Sequence, residues 1–310
     1  MKRTTFIVNP NAGTGAAARQ WPRIRRASER LLGPGEARFT RGAGDALDYA
    51  AEAVASGVDL LVCVGGDGTL NEVVNGLLSN PADARGSCVL GYVPCGTGCD
   101  LSRTLSIPRD PVRALEAIAG GETRTVDAGR IAFRGNRGTT EQRFFHNVVS
   151  FGLGGEVDER VNRGSKALGG FLSFIRATLV SILLFRKKRV RFRVDGGAVM
   201  EAVAWNVAVA NGRYHGGGMC VAPDAAADDG LLDVTVIGDL ALREVFLHLP
   251  KLYNGKLKTV AKVRTFVGKR IEAWSAQRVL LDVDGEQPGR LPVVIETVPG
   301  AIRLAATPPL

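Results

Sequence analysis

The chain has 310 residues, of which 45% are apolar and 23% charged, a balance typical of globular proteins that excludes disordered, collagen-like and coiled-coil structures. Its length accommodates two domains of ordinary size. Lys and Arg number 40 against 31 Asp and Glu, a net charge of +9. That charge suits an anionic partner such as nucleic acid, an acidic membrane surface or a phosphorylated substrate, although it also serves general solubility.

The first third of the chain alternates predicted strands and helices, which indicates a mostly parallel sheet with helices on its faces. Near-continuous apolar runs such as Val58–Val64 are typical of parallel strands that are buried on both sides. The predicted strands are Thr5–Val8, Ala37–Thr40, Val58–Val64 and Val89–Val93, and the predicted helices are Ala16–Leu32, Asp45–Ser56 and Thr69–Leu78.

After about residue 125 the pattern changes to short strands with few helices, which predicts an antiparallel sandwich. We therefore expect a first domain over residues 1–129 and a second over residues 130–297. The predicted strands are Arg124–Phe133, Arg143–Ser150, Lys188–Val194, Ala202–Ala210, Leu231–Val236, Ile271–Trp274 and Val279–Val283, and the helices are Phe171–Phe185 and Leu242–Leu249.

One apolar stretch, Ala167–Phe185, is followed by the basic run Arg186–Arg189. A spanning helix needs about 20 apolar residues, and the central Arg176 would cost roughly 2.5 kcal/mol or more in a bilayer. A buried or interfacial helix is the better interpretation. The basic flank would suit peripheral contact with an anionic membrane surface, and the alternative is a core helix followed by a solvated strand.

The cysteine content indicates a reducing compartment. Five cysteines without CxxC spacing fit free thiols better than disulfides or a zinc site. The apolar run at the N-terminus turns at Asn9-Pro10 too early for a signal-peptide core. We expect a cytoplasmic protein, with peripheral contact at the inner membrane face as a further expectation.

Three glycine-threonine loops follow the buried strands, at residues 9–15, 65–69 and 94–98. Glycines that lead into a helix let backbone N–H groups approach a phosphate, which the helix dipole also favours. Ligands bind at the carboxyl ends of parallel strands, so the loops are expected to converge on one phosphate or nucleotide site. Thr69 could cap its helix or bind phosphate, and Asp67 could hold Mg²⁺. The alternative for each loop is a structural turn.

Two acidic segments in the second half of the chain could each form either a functional site or a simple turn. Residues 223–231 combine three aspartates with a glycine, which suits a hard cation or a solvated turn. Asp284 and Glu286 flank Gly285 after a strand, where they could supply a general base or form a hairpin turn.

Taken together, these segments resemble the diacylglycerol kinase catalytic family, which includes bacterial soluble lipid kinases and is related to sphingosine and ceramide kinases. The resemblance runs from about residue 5 to 305, and GGDGTLNE with the following GTG and Asp is its most specific part. The segments that carry it are NPNAGTG, GGDGTLNEVVNGLL, PCGTGCDLSR, NGRYHGGGM, APDAAADDGLLDV and DVDGE.

The resemblance implies an ATP-binding α/β domain, a β-sandwich domain that takes the lipid, and a C-terminal segment at 298–310 that returns to the first domain. It also implies catalytic roles for Asp67 and Asp284, with Glu286 as the base for the lipid hydroxyl. ATP, the co-substrate, would be bound by Asn9, Asn11, Thr40, Gly66, Asp67, Gly68, Thr69, Leu70, Asn71, Glu72 and Thr97. An acidic network for Mg²⁺ and water would comprise Asp67, Asp100 and Asp127, and a structural Mg²⁺ would be held by Ala226, Asp229 and Leu231.

The sequence departs from the family at Cys99, where the family usually has Asn. A thiol lacks the paired donor and acceptor of an amide, so either that Asn is only structural or nucleotide binding is weaker here.

We therefore expect an Mg²⁺-dependent kinase of diacylglycerol or a related hydroxylated lipid. The alternatives are a kinase of a soluble substrate such as NAD, and a weakened nucleotide- or lipid-binding regulator. Nucleic acid is not an expected partner, because it explains the charge but none of the glycine loops. A homodimer is a further alternative, because the sequence does not determine the oligomeric state.

Overall fold

The computed structural model describes residues 2–163 and 178–305, which form two compact units. Unit 1 comprises the chain up to Asp127 together with the residues from Gly300 onward, and unit 2 comprises Ala128–Pro299. The chain therefore leaves unit 1 once and returns to it at its end. Two long strands, β5 (Thr123–Gly135) and β17 (Gly289–Ala305), contribute residues to both units.

Unit 1 contains a parallel sheet with the strand order β2-β1-β3-β4, and Leu304 at the end of β17 continues it by pairing with Leu90. The residues of β1 and β3 are buried throughout, which explains their continuous apolar sequence. The elements are β1 (Thr4–Val8), α1 (Ala12–Leu32), β2 (Glu36–Phe39), α2 (Asp45–Ala55), β3 (Leu60–Gly65), α3 (Asp67–Leu78), α4 (Ala82–Gly86), β4 (Val89–Pro94), α5 (Asp100–Thr104) and α6 (Pro111–Ala119).

Unit 2 begins with the remainder of β5 and ends with most of β17. The elements between them are β6 (Thr140–Phe145), β7 (Val148–Gly152), α7 (Leu153–Arg163), α8 (178–184), β8 (Lys188–Val194), β9 (Met200–Ala204), β10 (Asn206–Ala210), β11 (Tyr214–His215), β12 (Met219–Cys220), β13 (Leu232–Ile237), α9 (Leu242–Tyr253), a 3-10 helix (Leu257–Thr259), β14 (Val263–Gly268), β15 (Arg270–Trp274) and β16 (Leu281–Val283).

Two layers of antiparallel strands enclose the core of unit 2. One layer has the order β14-β13-β10-β7-β16, and the other pairs β17, β15, β8 and β9. Phe151, Phe192 and Ile295 are among the apolar side chains buried between them. This arrangement confirms the predicted class, an α/β domain with a mostly parallel sheet followed by an antiparallel sandwich.

Several predicted elements differ in detail. The predicted strand Ala202–Ala210 is two strands, β9 and β10, which lie in different layers and are separated at Trp205. The break is stabilised because the Trp205 backbone N–H donates to Ile237 and its indole N–H donates to Leu240. The predicted strand Arg143–Ser150 is likewise two strands, β6 and β7, and the prediction missed α7, β14 and β17.

Two predicted helices need comment. Residues 167–177 of the apolar stretch lie outside the described residues, and 178–184 are helical as α8. The helix predicted at Leu242–Leu249 continues through Pro250 to Tyr253. Across the described residues, none of the helices has the length and apolar character required to cross a bilayer.

Candidate functional site

The three glycine-threonine loops of unit 1 meet at the carboxyl ends of β1, β3 and β4. The Asn9 side-chain amide donates to the Thr69 hydroxyl at 2.9 Å, which links the first loop to the second. The Cys95 N–H donates to the Gly65 carbonyl at 2.8 Å, which links the second to the third. The loops that the sequence placed after three separate strands therefore form one surface.

Glycine is required at the points where these loops touch. A Cβ atom on Gly96 would lie 2.5 Å from the Gly66 Cα atom, closer than real side chains approach. A Cβ atom on Gly13, where φ is +59°, would collide with the Cys95 carbonyl. Backbone therefore packs directly on backbone, which leaves N–H groups near the start of α3 accessible to an anion.

Asp67 fixes the third loop to the first turn of α3. Its two carboxylate oxygens accept the backbone N–H groups of Cys99 at 2.7 Å and of Asp100 at 2.9 Å. Cys99 has a left-handed backbone with φ of +51°, and its side chain is fully buried. Asn is one of the few residues that favours this conformation, so part of the family preference for Asn here is conformational.

The burial of the thiol also matters, because desolvation raises the pKa of Cys99 above its ordinary value. The Tyr92 hydroxyl contacts Cys99 and is buried, and its pKa is raised mainly by desolvation. A neutral thiol is a weak acceptor for a phenol, so this contact is a poorly satisfied polar pair.

Some predicted ATP-site residues support the loops rather than face a ligand with their side chains. The Glu72 carboxylate accepts the N–H groups of Gly44 and Ala46 at the start of α2, at 2.9 and 3.1 Å. Leu70 and Asn71 are buried within α3. These contacts are compatible with the predicted site, but the side chains of Glu72, Leu70 and Asn71 stabilise the loops around it.

The other predicted residues of unit 1 follow strands, except Asp127, which lies within β5. The Thr40 N–H donates to Val8, and the Asn11 N–H donates to the Asn9 side chain. Thr97 accepts a hydrogen bond from Arg109 at its carbonyl. Asp127 accepts the Gly300 N–H at 2.7 Å, so it anchors the returning end of the chain in unit 1.

Magnesium is compatible with this group of oxygens. Asp67 and Asp100 supply hard carboxylate donors, and Asp100 is buried with Arg103 Nε 3.5 Å away. Within the described ranges, no group of three or more His, Cys, Asp and Glu side chains converges as a metal cage. Mg²⁺ at this position would therefore take most of its ligands from water and phosphate, as it does in many phosphotransferases.

In unit 2 the two predicted carboxylates differ sharply in environment. Asp284 has a side chain only 1% exposed, and it accepts the N–H groups of His146, Asn147 and Val148 at 2.9 to 3.1 Å. The Glu286 side chain is 44% exposed and pairs with Arg143 at 3.0 Å. Backbone hydrogen bonds thus hold the Asp284 carboxylate in place, whereas the exposed Glu286 carboxylate can act as a proton acceptor.

The predicted structural Mg²⁺ ligands lie on the turn before β13. The Asp229 carboxylate accepts the Leu231 N–H at 2.9 Å, which closes that turn together with Gly230 at φ of +75°. Half-burial and the nearby Asp229 charge raise the pKa of Asp233 to about 6. Ala226 is exposed only in part, so its carbonyl and the Asp229 carboxylate remain candidates for a cation.

The structure also reveals a group of side chains that sequence reasoning missed. The Asp282 carboxylate accepts the Gly285 N–H at 2.9 Å and the Ser150 hydroxyl at 3.2 Å, and His215 Nε2 lies 2.7 Å away. Burial and the nearby Asp282 charge raise the pKa of Asp158 on α7 well above its ordinary value. The one available signal was Asp282 itself, which lies two residues before Asp284.

This group closes one part of an apolar cavity of about 130 Å³ that lies entirely within unit 2. Asp158, His215 and Asp282 supply polar lining, and the apolar lining comes from several elements. The apolar side chains include Leu153, Val157, Ile182, Trp205, Met219, Val221, Ile237, Leu240, Val245, Leu249, Leu252 and Leu257.

Comparisons with known proteins agree with this architecture. The diacylglycerol kinase catalytic domain matches residues 3–131, and the YegS C-terminal NAD kinase beta sandwich-like domain matches residues 147–306. A Xanthomonas euvesicatoria protein named "Probable lipid kinase YegS-like" is 36% identical over 278 residues, covering 87% of this chain and 85% of its own. A Bacillus subtilis protein named diacylglycerol kinase is 28% identical and covers 94% and 92%.

A solved structure extends the likeness to three dimensions. It belongs to a Bacillus anthracis protein provisionally assigned as a diacylglycerol kinase, with a TM-score of 0.78, 27% identity, and coverage of 99% of this chain and 98% of its own. The resemblance found in the sequence motifs is thus confirmed over nearly the whole chain. The chain belongs to the diacylglycerol kinase catalytic-domain family of enzymes, among its YegS-like lipid kinases.

Proposed function

We propose that the protein transfers the γ-phosphate of ATP to a hydroxyl group of diacylglycerol or a related lipid, in the presence of Mg²⁺. The observation that carries the lipid assignment is the apolar cavity of unit 2, since most of its lining residues are aliphatic or aromatic. Ligand pockets with an apolar wall and few polar groups select ligands with the same distribution.

Phosphoryl transfer needs alignment of the reacting groups and neutralisation of charge more than covalent chemistry. The loops around Gly66, Gly96 and Gly13 would hold the ATP phosphates through backbone N–H groups and the N-terminus of α3. Bound Mg²⁺ would neutralise phosphate charge beside Asp67 and Asp100. Glu286 would take the proton of the lipid hydroxyl.

Asp284 supports this assignment without itself accepting a proton. Its three backbone hydrogen bonds fix the turn that carries Glu286, because the Gly285–Glu286 segment follows directly from it. A general base must be held within reach of its proton, and a rigid turn serves that purpose. The ion pair with Arg143 orients the Glu286 carboxylate.

A soluble substrate such as NAD is the competing acceptor. NAD is polar and charged over most of its surface, so an aliphatic cavity offers it few partners. The same cavity favours an acyl chain. The conclusion that the acceptor is a lipid therefore rests on the lining of unit 2, and the loops of unit 1 do not discriminate between the two.

A lipid kinase must reach its substrate in a membrane, and α8 and α9 have the character needed. Both helices line the cavity, yet they also expose large apolar side chains, including Leu183 at 60% and Leu247 at 72%. We define the α8–α9 surface by its exposed apolar residues, which are Leu179, Leu183, Leu184, Leu242, Phe246 and Leu247.

Charge around the α8–α9 surface favours an anionic bilayer. The segments 178–188 and 239–262 contain eight Lys and Arg but only two Asp and Glu. Each basic residue near an anionic membrane contributes about 1 kcal/mol of attraction. Exposed apolar side chains surrounded by basic ones are typical of helices that lie in the membrane interface.

The decisive experiment is transfer of radiolabelled γ-phosphate into a panel of acceptors in mixed micelles with Mg²⁺. The panel contains diacylglycerol, monoacylglycerol, phosphatidylglycerol, sphingosine and ceramide, with NAD as the soluble control. Glu286→Gln is the blank, because it removes the base with little effect on folding. Label in a lipid that is lost in the blank supports the proposal, and label in NAD alone, or in no acceptor, contradicts it.

Membrane contact is tested separately by flotation with vesicles. We expect binding to vesicles that contain phosphatidylglycerol and much weaker binding to phosphatidylcholine alone. Leu247→Glu should reduce binding, whereas Val199→Glu, which changes an exposed apolar residue outside the α8–α9 surface, should not. Equal binding by both variants would contradict the assignment of this surface.

A further inference from the structure

An arginine outside the predicted site, Arg109, holds the third glycine-threonine loop of unit 1. Its Nη2 atom donates to the Thr97 carbonyl at 3.0 Å and to the Gly98 carbonyl at 2.9 Å. Arg109 forms no ion pair with any carboxylate among the described residues, and the adjacent Asp110 pairs with Arg23 instead. The charge of Arg109 is therefore directed at the loop alone.

The peptide group between Gly98 and Cys99 is bound on both sides. Its carbonyl accepts from Arg109, and its N–H donates to the Asp67 carboxylate at 2.7 Å. The peptide group is trans, so its carbonyl and N–H point in opposite directions, and Arg109 and Asp67 lie on opposite sides of the loop. Both partners are charged groups, which form stronger hydrogen bonds than neutral ones. The orientation of this peptide group is therefore well determined.

The preceding peptide group, between Thr97 and Gly98, has the same orientation. Its carbonyl accepts from the same Nη2 atom, so the Gly98 N–H points away from Arg109, as the Cys99 N–H does. No acceptor among the described residues binds the Gly98 N–H, and Gly98 is half-buried. A backbone N–H without an internal partner is available to an external acceptor.

The orientation of these peptide groups matters for an anionic ligand. Backbone N–H groups attract a phosphate, whereas carbonyl oxygens carry partial negative charge and repel it. A loop without the Arg109 contacts could rotate the two peptide groups and turn their carbonyls toward the nucleotide. Arg109 binds both carbonyls on the side opposite Asp67 and the first turn of α3. It therefore keeps an N–H on the side where the proposed site lies.

We propose that Arg109 is a positioning residue for nucleotide binding, which holds the carbonyls of Thr97 and Gly98 so that the Gly98 N–H donates to a phosphate group of ATP. Arg109 acts through the backbone of the loop and is not itself a catalytic residue. This inference rests on the proposed function for the identity of the nucleotide, and it extends that function to a residue on the far side of the loop.

Amide hydrogen exchange tests the proposal in the wild-type protein without lipid or turnover. The probe is a non-hydrolysable Mg-ATP analogue, and exchange is followed at single-residue resolution by mass spectrometry with electron-transfer fragmentation. The Gly98 amide should exchange rapidly in the free protein and slowly at saturation, because a phosphate oxygen then accepts its hydrogen bond. The amides of α6 serve as the internal reference. Equally rapid exchange of Gly98 in the saturated protein would overturn the inference.

A matched pair of variants tests the role of Arg109 itself. Arg109→Ala and Arg113→Ala remove the same charge, and Arg113 is an exposed residue of α6. We expect Arg109→Ala to bind the ATP analogue about 10-fold more weakly than Arg113→Ala, the usual effect of one hydrogen bond to a charged group. Adenosine, measured by competition, should bind both variants equally, because it has no phosphate. Equal affinity of the analogue for both variants would overturn the inference, and so would an equal loss for adenosine, which would indicate general disruption.

These outcomes are separable from the kinase assay. Slowed exchange at Gly98 and weaker nucleotide binding in Arg109→Ala, without phosphate transfer to any acceptor, would refute the proposed function and leave the positioning role intact. Phosphate transfer into a lipid, with the same nucleotide affinity in Arg109→Ala and Arg113→Ala, would refute only the role of Arg109.

Discussion

The contact between the second and third loops gives a sharp prediction for Gly96→Ala. The added methyl group would lie 2.5 Å from the Gly66 Cα atom, and an ordinary contact begins at 3.4 Å. The two loops must therefore separate by about 0.9 Å, since the atom that the methyl group meets first belongs to the backbone. The backbone of Gly96 does not have a positive φ, so the effect is steric and not conformational.

A displacement of this size in groups that position a reacting phosphate costs on the order of 100-fold in rate, equivalent to about 2.7 kcal/mol of transition-state stabilisation. We expect Gly96→Ala to weaken Mg-ATP binding and to lower kcat/KM for lipid phosphorylation by that order. Calorimetric titration with a non-hydrolysable ATP analogue measures the first quantity, and the micelle assay measures the second.

Gly86→Ala is the matched control, because a Cβ atom there meets no atom within 4 Å and Gly86 lies in α4, away from the loops. It should leave both quantities unchanged. Wild-type nucleotide affinity and turnover in Gly96→Ala would show that the loops do not hold phosphate at this contact, and the assignment of the ATP site would fail with it.

Four further substitutions separate stability from activity. Glu286→Gln should lower the rate of lipid phosphorylation by about 100-fold or more with an unchanged melting temperature. Asp284→Asn should instead lower the free energy of unfolding by at least about 2 kcal/mol in denaturant titrations. The reverse pattern would refute the roles of both residues. Cys99→Asn should raise the melting temperature, since Asn suits the left-handed backbone and can pair with Tyr92; a lower one would contradict this. Because the pKa of Asp158 is raised in the folded state, this residue stabilises the fold below the ordinary carboxyl pKa, and the contribution is lost as pH rises through the pKa of the folded state. Asp158→Asn should therefore flatten the pH dependence of the free energy of unfolding. An unaltered profile would disprove this.

The loops of unit 1 could be placed from the sequence because their signal is local. A buried strand such as Val58–Val64 followed by Gly65-Gly66 fixes both the element and the position of the turn. Parallel strands then bring their carboxyl ends to one edge of the sheet whatever the details of packing. The Asn9–Thr69 hydrogen bond joins residues 60 positions apart, yet it follows from that rule.

The polar group of the cavity could not be placed in this way. Its members lie on three separate elements, Asp158 on helix α7, His215 on the two-residue strand β11 and Asp282 on strand β16. No spacing in the sequence connects them. Likewise the distinction between Asp284 and Glu286 depends on which carboxylate faces three backbone N–H groups, a property of tertiary packing. The missed strand β17 has little alternation to identify it and includes Pro292 and Pro299.

The return of the chain to unit 1 has a consequence for how the protein is made. Leu304 pairs with Leu90, and the Gly300 N–H donates to Asp127, so the sheet that begins with β1 is completed by residues synthesised after all of unit 2. Unit 2 is continuous in sequence, whereas unit 1 keeps an open sheet edge beside β4 until those residues have been made. The three glycine-threonine loops thus lie early in the chain, on a sheet that is completed only after unit 2 has been synthesised.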